Sequence, residues 1–110
     1  MFVRGLVATV LCCAGGLASA APAAHRDWLC EAVYLPARSA WLRTVRIAFD
    51  DQRVTGVAVD GQQTFTFAVR GNTILTSLDN ERIELDLGNQ TWTSDFRGLA
   101  TAQGRCERRD

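Results

Sequence analysis

Side chains able to do chemistry near neutral pH are scarce in this chain: four Cys, one His, no Lys and twelve carboxylates in 110 residues. Catalysis needs a nucleophile or proton carrier with a tuned pKa, usually His, Cys, Lys or a buried carboxylate pair. The cysteines show no C-x-x-C spacing, and His25 stands far in sequence from the last of them, Cys106. The carboxylates fall mainly at turn-like positions (Asp50, Asp51, Asp60, Asp79, Asp110) or at the wet positions of an alternating run (Glu84, Asp86), where turn geometry and solubility account for them. Asp50 and Asp51 would hold a divalent ion with Asp60 only if their turns met. Successive turns of a meander lie at opposite ends, and no Ca2+-loop spacing is present. Phosphate cradles, dinucleotide fingerprints and nucleophile elbows are absent. The expectation is a protein that is not an enzyme, with no catalytic residue, no metal and no cofactor.

The cysteines instead suggest a covalent clasp. Residues 1–20, MFVRGLVATVLCCAGGLASA, carry one early charge at Arg4, an apolar run from Leu6 to Ala14 and small residues ending Ala18-Ser19-Ala20, the pattern of a signal peptide cut after Ala20. The apolar run is shorter than the roughly 20 residues of a spanning helix, so no stable membrane anchor is expected. Cys12 and Cys13 leave with it, because Thr9-Val10-Leu11 lacks the small residue that lipoprotein processing requires before Cys. Cys30 and Cys106 remain, in a chain sent to an oxidising compartment, and they allow one internal pairing. The alternative is two buried thiols. A periplasmic or secreted location follows.

Alternation of apolar and polar residues predicts strands throughout. Residues 21–26 read as a disordered lead-in, residues 27–107 as one domain and residues 108–110 as a loose charged tail. Trp28, Cys30, Ala32 and Tyr34 share one face of the first strand; Val45, Ile47 and Phe49 share one face of the second. Gly56 suggests a bulge in the third. Asp60-Gly61 between two alternating runs is a hairpin signal, since both positions accept positive φ. Phe65, Phe67 and Val69 are expected to point inward, as are Ile83, Leu85 and Leu87 opposite Glu84 and Asp86. Ala100, Ala102, Gly104 and Cys106 form a column of small side chains that the bulk of Trp28 and Tyr34 would fill. Together these make an all-β fold, an eight-stranded antiparallel meander curled into a closed or nearly closed small barrel, its terminal strands joined by Cys30–Cys106. A two-sheet sandwich fits the same alternation.

The charge balance, twelve Arg against twelve Asp plus Glu, leaves no basic field for nucleic acid. Among surface positions, Pro36, Arg38 and Trp41 stand out. They combine a restricted backbone, a cation and an aromatic in the longest connection between strands, the residue types that anchor protein contacts. Trp41 as a cap over the barrel mouth is the structural alternative. Arg43, Arg46, Arg70 and Arg97 are expected as solvated charges paired with Glu84, Asp86 or Asp95.

An exported chain that opens on Trp28-Leu29-Cys30, runs as short strands and closes on Gly104-Arg105-Cys106 resembles, in plan, the small periplasmic and membrane-bound inhibitors of c-type lysozyme. The resemblance implies the small disulfide-clasped β fold and a protein partner. That family's inhibitory loops carry a Ser-Gly-x-x-Tyr and an aromatic-x-x-Lys-Gly motif, neither of which occurs here, so no inhibitory residue carries over. Two functions are therefore expected: a non-catalytic envelope protein binding another protein, as an inhibitor of a secreted or host enzyme such as lysozyme; or a carrier of a small apolar ligand in the barrel interior, lined by Phe65, Phe67, Ile83, Leu85 and Trp92.

Overall fold

The computed structural model describes residues 24–109; the expected signal peptide, Ala21–Ala23 and Asp110 lie outside the described residues. Nine antiparallel strands, rather than eight, form one sheet: β1 (Ala24–Leu35), β2 (Ser39–Asp50), β3 (Arg53–Val59), β4 (Gln62–Gln63), β5 (Phe65–Arg70), β6 (Thr73–Leu78), β7 (Glu81–Asp86), β8 (Thr91–Phe96) and β9 (Ala100–Arg108). The extra strand arises because Thr64 interrupts the run after the Asp60-Gly61 turn and leaves two residues paired back onto β3. Strand β1 begins at Ala24, inside the expected lead-in, because Ala24 to Arg26 continue the ladder opposite Phe49 to Ile47.

The strand order is β4-β3-β2-β1-β9-β8-β7-β6-β5. Strands β1 and β9 are neighbours, as the clasp required, and the sheet curls into a nearly closed antiparallel barrel. Its seam falls between β4 and β5, the two ends of that order, which Thr64 joins along the chain. Thr64 also extends the β3–β4 hairpin, donating from its backbone N–H to the Val57 carbonyl at 2.9 Å and from its hydroxyl to the same oxygen at 2.8 Å. A single nine-stranded sheet replaces the sandwich alternative.

Period-two patterning explains most of the core. Trp28, Cys30, Ala32, Val45, Ile47, Val57, Val59, Ile74, Ile83, Leu85 and Trp92 are buried on the inner face. Asp60 and Gly61 take φ of 53° and 81°, the paired positive values of a tight hairpin turn. The bulge expected near Gly56 is present: Ala48 pairs with Gly56 and Phe49 with Val54, so Thr55 is the extra residue. The expectation for β5 is overturned at Phe65 and Phe67, which lie outside, with Phe65 69% exposed. A register shift at Phe67 then brings Val69 opposite buried Ile74, on the inner side as expected but at the open end, where it is 44% exposed. The inner side of this strand carries hydroxyls because the seam needs donors: Thr76 Oγ1, fully buried, lies 2.6 Å from Thr64 Oγ1, 3.1 Å from Thr66 Oγ1 and 2.9 Å from the Phe65 carbonyl.

Cys30 stands directly opposite Cys106 and is bonded to it, with Cα atoms 4.0 Å apart. The small column is on the inner face as expected, but its filling differs. Tyr34 stands opposite Ala102 and Trp28 opposite Arg108, while Trp92 of β8 stands opposite Gly104. A Cβ on Gly104 would sit 1.8 Å from the Glu31 carbonyl oxygen, so no other residue lets β9 approach β1 this closely.

Two outcomes are expected. Cys106→Ala, or reductant, removes the cross-link between residues 76 apart and should cost about 4 kcal/mol in urea unfolding, the chain-entropy value for such a loop. Gly104→Ala should cost about 3 kcal/mol or more, because the colliding atom is backbone and yields only by displacing a strand. A parent-like melting temperature in either variant contradicts the role assigned to that residue.

Candidate functional site

Antiparallel pairing sends the turns alternately to two ends of the barrel. One end carries the β1–β2 loop (36–38), the Asp60-Gly61 turn, the Asp79-Asn80 turn and the β8–β9 turn (97–99). Pro36, Arg38 and Trp41, the expected binding residues, lie here and are exposed. Trp41 pairs with buried Ala32 and so belongs to the inner side of β2, but at 61% exposure it stands beyond the mouth and does not cap the core. Leu35 at the end of β1, Leu42 near the start of β2 and Leu99 in the β8–β9 turn are also exposed at this end, with Leu35 and Leu42 on the outer face. Thr101 pairs with Leu35 and draws the β8–β9 turn beside the β1–β2 loop.

Beneath this end runs a polar network that the sequence reading missed. Arg43, expected as a solvated charge paired with Glu84, Asp86 or Asp95, instead enters the barrel from β2. Its Nε donates to Asp60 Oδ2 at 2.7 Å and its Nη1 to Glu81 Oε1 at 3.1 Å and to the Tyr34 hydroxyl. Glu81, 8% exposed, also accepts from the Tyr34 hydroxyl and from Ser94 Oγ at 2.8 Å. Ser94 in turn accepts from Trp92 Nε1 at 3.0 Å, and the Arg43 guanidinium lies 5.0 Å from the centre of the Trp92 ring. Asp60 closes the chain by accepting the Thr44 backbone N–H at 3.0 Å. Arg46, likewise expected beside strand carboxylates of the other arm, forks onto Asp27 at 2.7 and 3.0 Å on the outer surface.

Electrostatics follow this geometry. Burial disfavours the Arg43 charge, but its bonds to Asp60 and Glu81 outweigh that and raise its pKa. Burial, then the hydrogen bond to Glu81, pushes the Tyr34 phenol up to about 12. The Arg46 hydrogen bond holds the Asp27 carboxyl below its ordinary range, and the Asn89 backbone N–H does the same for Asp86. With Tyr34, Arg43 and Ser94 all donating to it, the Glu81 carboxylate is engaged on both oxygens. The signal for Glu81 was its place directly after the Asp79-Asn80 turn, where it opens the inner face that Ile83 and Leu85 continue.

The opposite end is open. A cavity of about 640 Å³ there has Trp28, Phe49, Val54, Ile74 and Leu87 as its apolar floor and Arg26, Arg53 and Arg108 on its walls. Of the five expected ligand-lining residues, Ile83, Leu85 and Trp92 are packed in the core, whereas Phe65 and Phe67 lie outside. Comparison with known proteins finds no matching family model, no matching curated protein and no matching solved structure.

Tyr34 is the only tyrosine, so tyrosinate absorbance reads it alone. Its pKa is raised in the folded state, so its contribution to stability is complete below pH 10.0 and is lost as pH rises through about 12. The native protein should titrate near 12 and the urea-unfolded protein near 10, and Tyr34→Phe should flatten the alkaline fall in stability. A native midpoint near the unfolded one removes the phenol from the network.

Proposed function

We propose that this chain is an exported, non-catalytic binding module that engages another protein through the end of the barrel bearing Pro36, Arg38 and Trp41. The observation carrying this reading is the exposed Trp41, 61% accessible at an end that also exposes Leu35, Leu42 and Leu99, on strands whose inner sides are tied by the Arg43–Glu81 network. An aromatic anchor flanked by aliphatic side chains and a cation on a stiff support has the composition of a contact hot spot. The disulfide fits an oxidising, extracytoplasmic compartment, which supports a periplasmic or secreted site of action. The non-catalytic reading draws on the network itself, where carboxylate, guanidinium, phenol and hydroxyl are committed to one another. A secreted or host enzyme is the partner class, and c-type lysozyme is the first to test because of the resemblance in plan.

The carrier reading, with a ligand in the barrel interior, has less support, since packed side chains occupy the middle of the barrel. Immobilised protein should bind lysozyme or retain a defined protein from periplasmic or host extracts. Trp41→Ser should weaken that binding about thirtyfold, a hot-spot loss of about 2 kcal/mol, with no change in melting temperature. Equal binding by parent and variant removes the assigned surface. Retention of no protein, with a lipid found by mass spectrometry in the purified protein, replaces the reading with the carrier.

A further inference from the structure

The open end of the barrel has a chemistry of its own. Its cavity of about 640 Å³ falls in the range of small-molecule sites. No Asp or Glu stands among the described residues that line it, while three arginines do. Two of these lie over aromatic rings of the floor: Arg26 is 5.2 Å from the centre of Phe49 and Arg108 is 5.8 Å from that of Trp28. The side chain of the third, Arg53, makes no hydrogen bond or ion pair with another described residue. Trp28, only 6% exposed, lines this cavity and also borders a void of about 10 Å³ beside the disulfide that has room for one water at most, so of the two spaces the larger one has room for a ligand.

We propose that this cavity binds a small amphiphilic anion, with a carboxylate or phosphate head held by Arg53 and Arg26 and an apolar body laid on Phe49, Val54, Ile74 and Leu87. Guanidinium groups match both heads through paired N–H donors, and apolar walls around them strengthen the attraction. The floor excludes a free inorganic anion as the preferred occupant, because such an ion would cover apolar surface without filling it. The site lies at the opposite end from Trp41, so this inference stands whether or not the protein-binding reading does.

Calorimetric titration of the purified, disulfide-bonded protein with decanoate, decyl phosphate, decanol and inorganic phosphate tests it. Saturable binding of either ten-carbon anion at one per chain is expected, and the tighter of the two identifies the head. Decanol and inorganic phosphate should each bind at least about tenfold more weakly than that anion, since each lacks one half of the recognition. Arg53→Glu should weaken anion binding by about tenfold to a hundredfold, the range for losing a hydrogen bond to a charged group, and leave decanol unchanged. Arg53→Gln, which removes the charge without reversing it, repeats the test if the first variant melts early. Equal affinity for decanol and decanoate, anion binding insensitive to Arg53 in a folded variant, or no saturable binding of either anion overturns the proposal.

Discussion

Strands β1 and β9 run at backbone contact because Gly104 leaves room for the Glu31 carbonyl, and Cys106 stands opposite Cys30 so that a covalent bond can hold the register. A slip of one residue there would turn the buried set Trp28, Cys30 and Ala32 to solvent. With that register held, the chain becomes two arms of one sheet, β1 to β4 on one side and β9 back to β5 on the other. Each arm is a series of short-range hairpins, but neither can bury its inner face alone. The clasp converts them into two walls of one core.

The arms meet again across the interior, and here the joint is electrostatic. Arg43 and Asp60 belong to one arm; Glu81, Ser94 and Trp92 belong to the other. A buried ion pair recovers its desolvation cost only when further hydrogen bonds satisfy both charges. This one has them: the guanidinium reaches Asp60, Glu81 and the Tyr34 oxygen, and the carboxylate accepts from three donors. An apolar pair of similar volume would fill the space, but it would not select a single relative position for the two arms. The network does so because its donors and acceptors from both arms match in one arrangement.

Much of the fold was legible because it rests on local rules. Two cysteines in the β domain leave one pairing, Asp60-Gly61 demands positive φ twice, and Ile83 and Leu85 alternate against Glu84 and Asp86. The failures share a different cause. Alternation at Thr64 to Val69 separates two faces but cannot say which is inside, and hydrophobicity chose the phenylalanines. The bonds of Thr64 to Val57, the buried Thr76 hydroxyl and the register shift at Phe67 placed Thr64 and Thr66 inward instead. Glu81 and Arg43 were hidden for the same reason, since a charged residue in a strand reads as solvated until its partner on the far arm is known. The exposed position of Pro36 and Arg38 was legible from their loop chemistry, whereas Trp41 fits either cap or contact on sequence alone, because it sits in β2 on the side that faces the core further along the strand.

The two ends of the barrel therefore differ in what their charges can do. At the Trp41 end, cation and carboxylates are consumed by one another, and the surface left for recognition is apolar and aromatic. At the other end, arginines line a cavity with an apolar floor and no carboxylate among its lining residues. The near closure of the sheet produces both conditions. Drawing the arms together at one end brings Arg43 within reach of Glu81, while at the other end the turns at Gln52 and Asn72 border a space that the side chains do not fill. A fully closed eight-stranded barrel has an interior just wide enough for its own side chains. Strand β4, only two residues long, leaves this sheet short of full closure, so the barrel is filled where Arg43 meets Glu81 and open where Trp28 and Ile74 line the cavity.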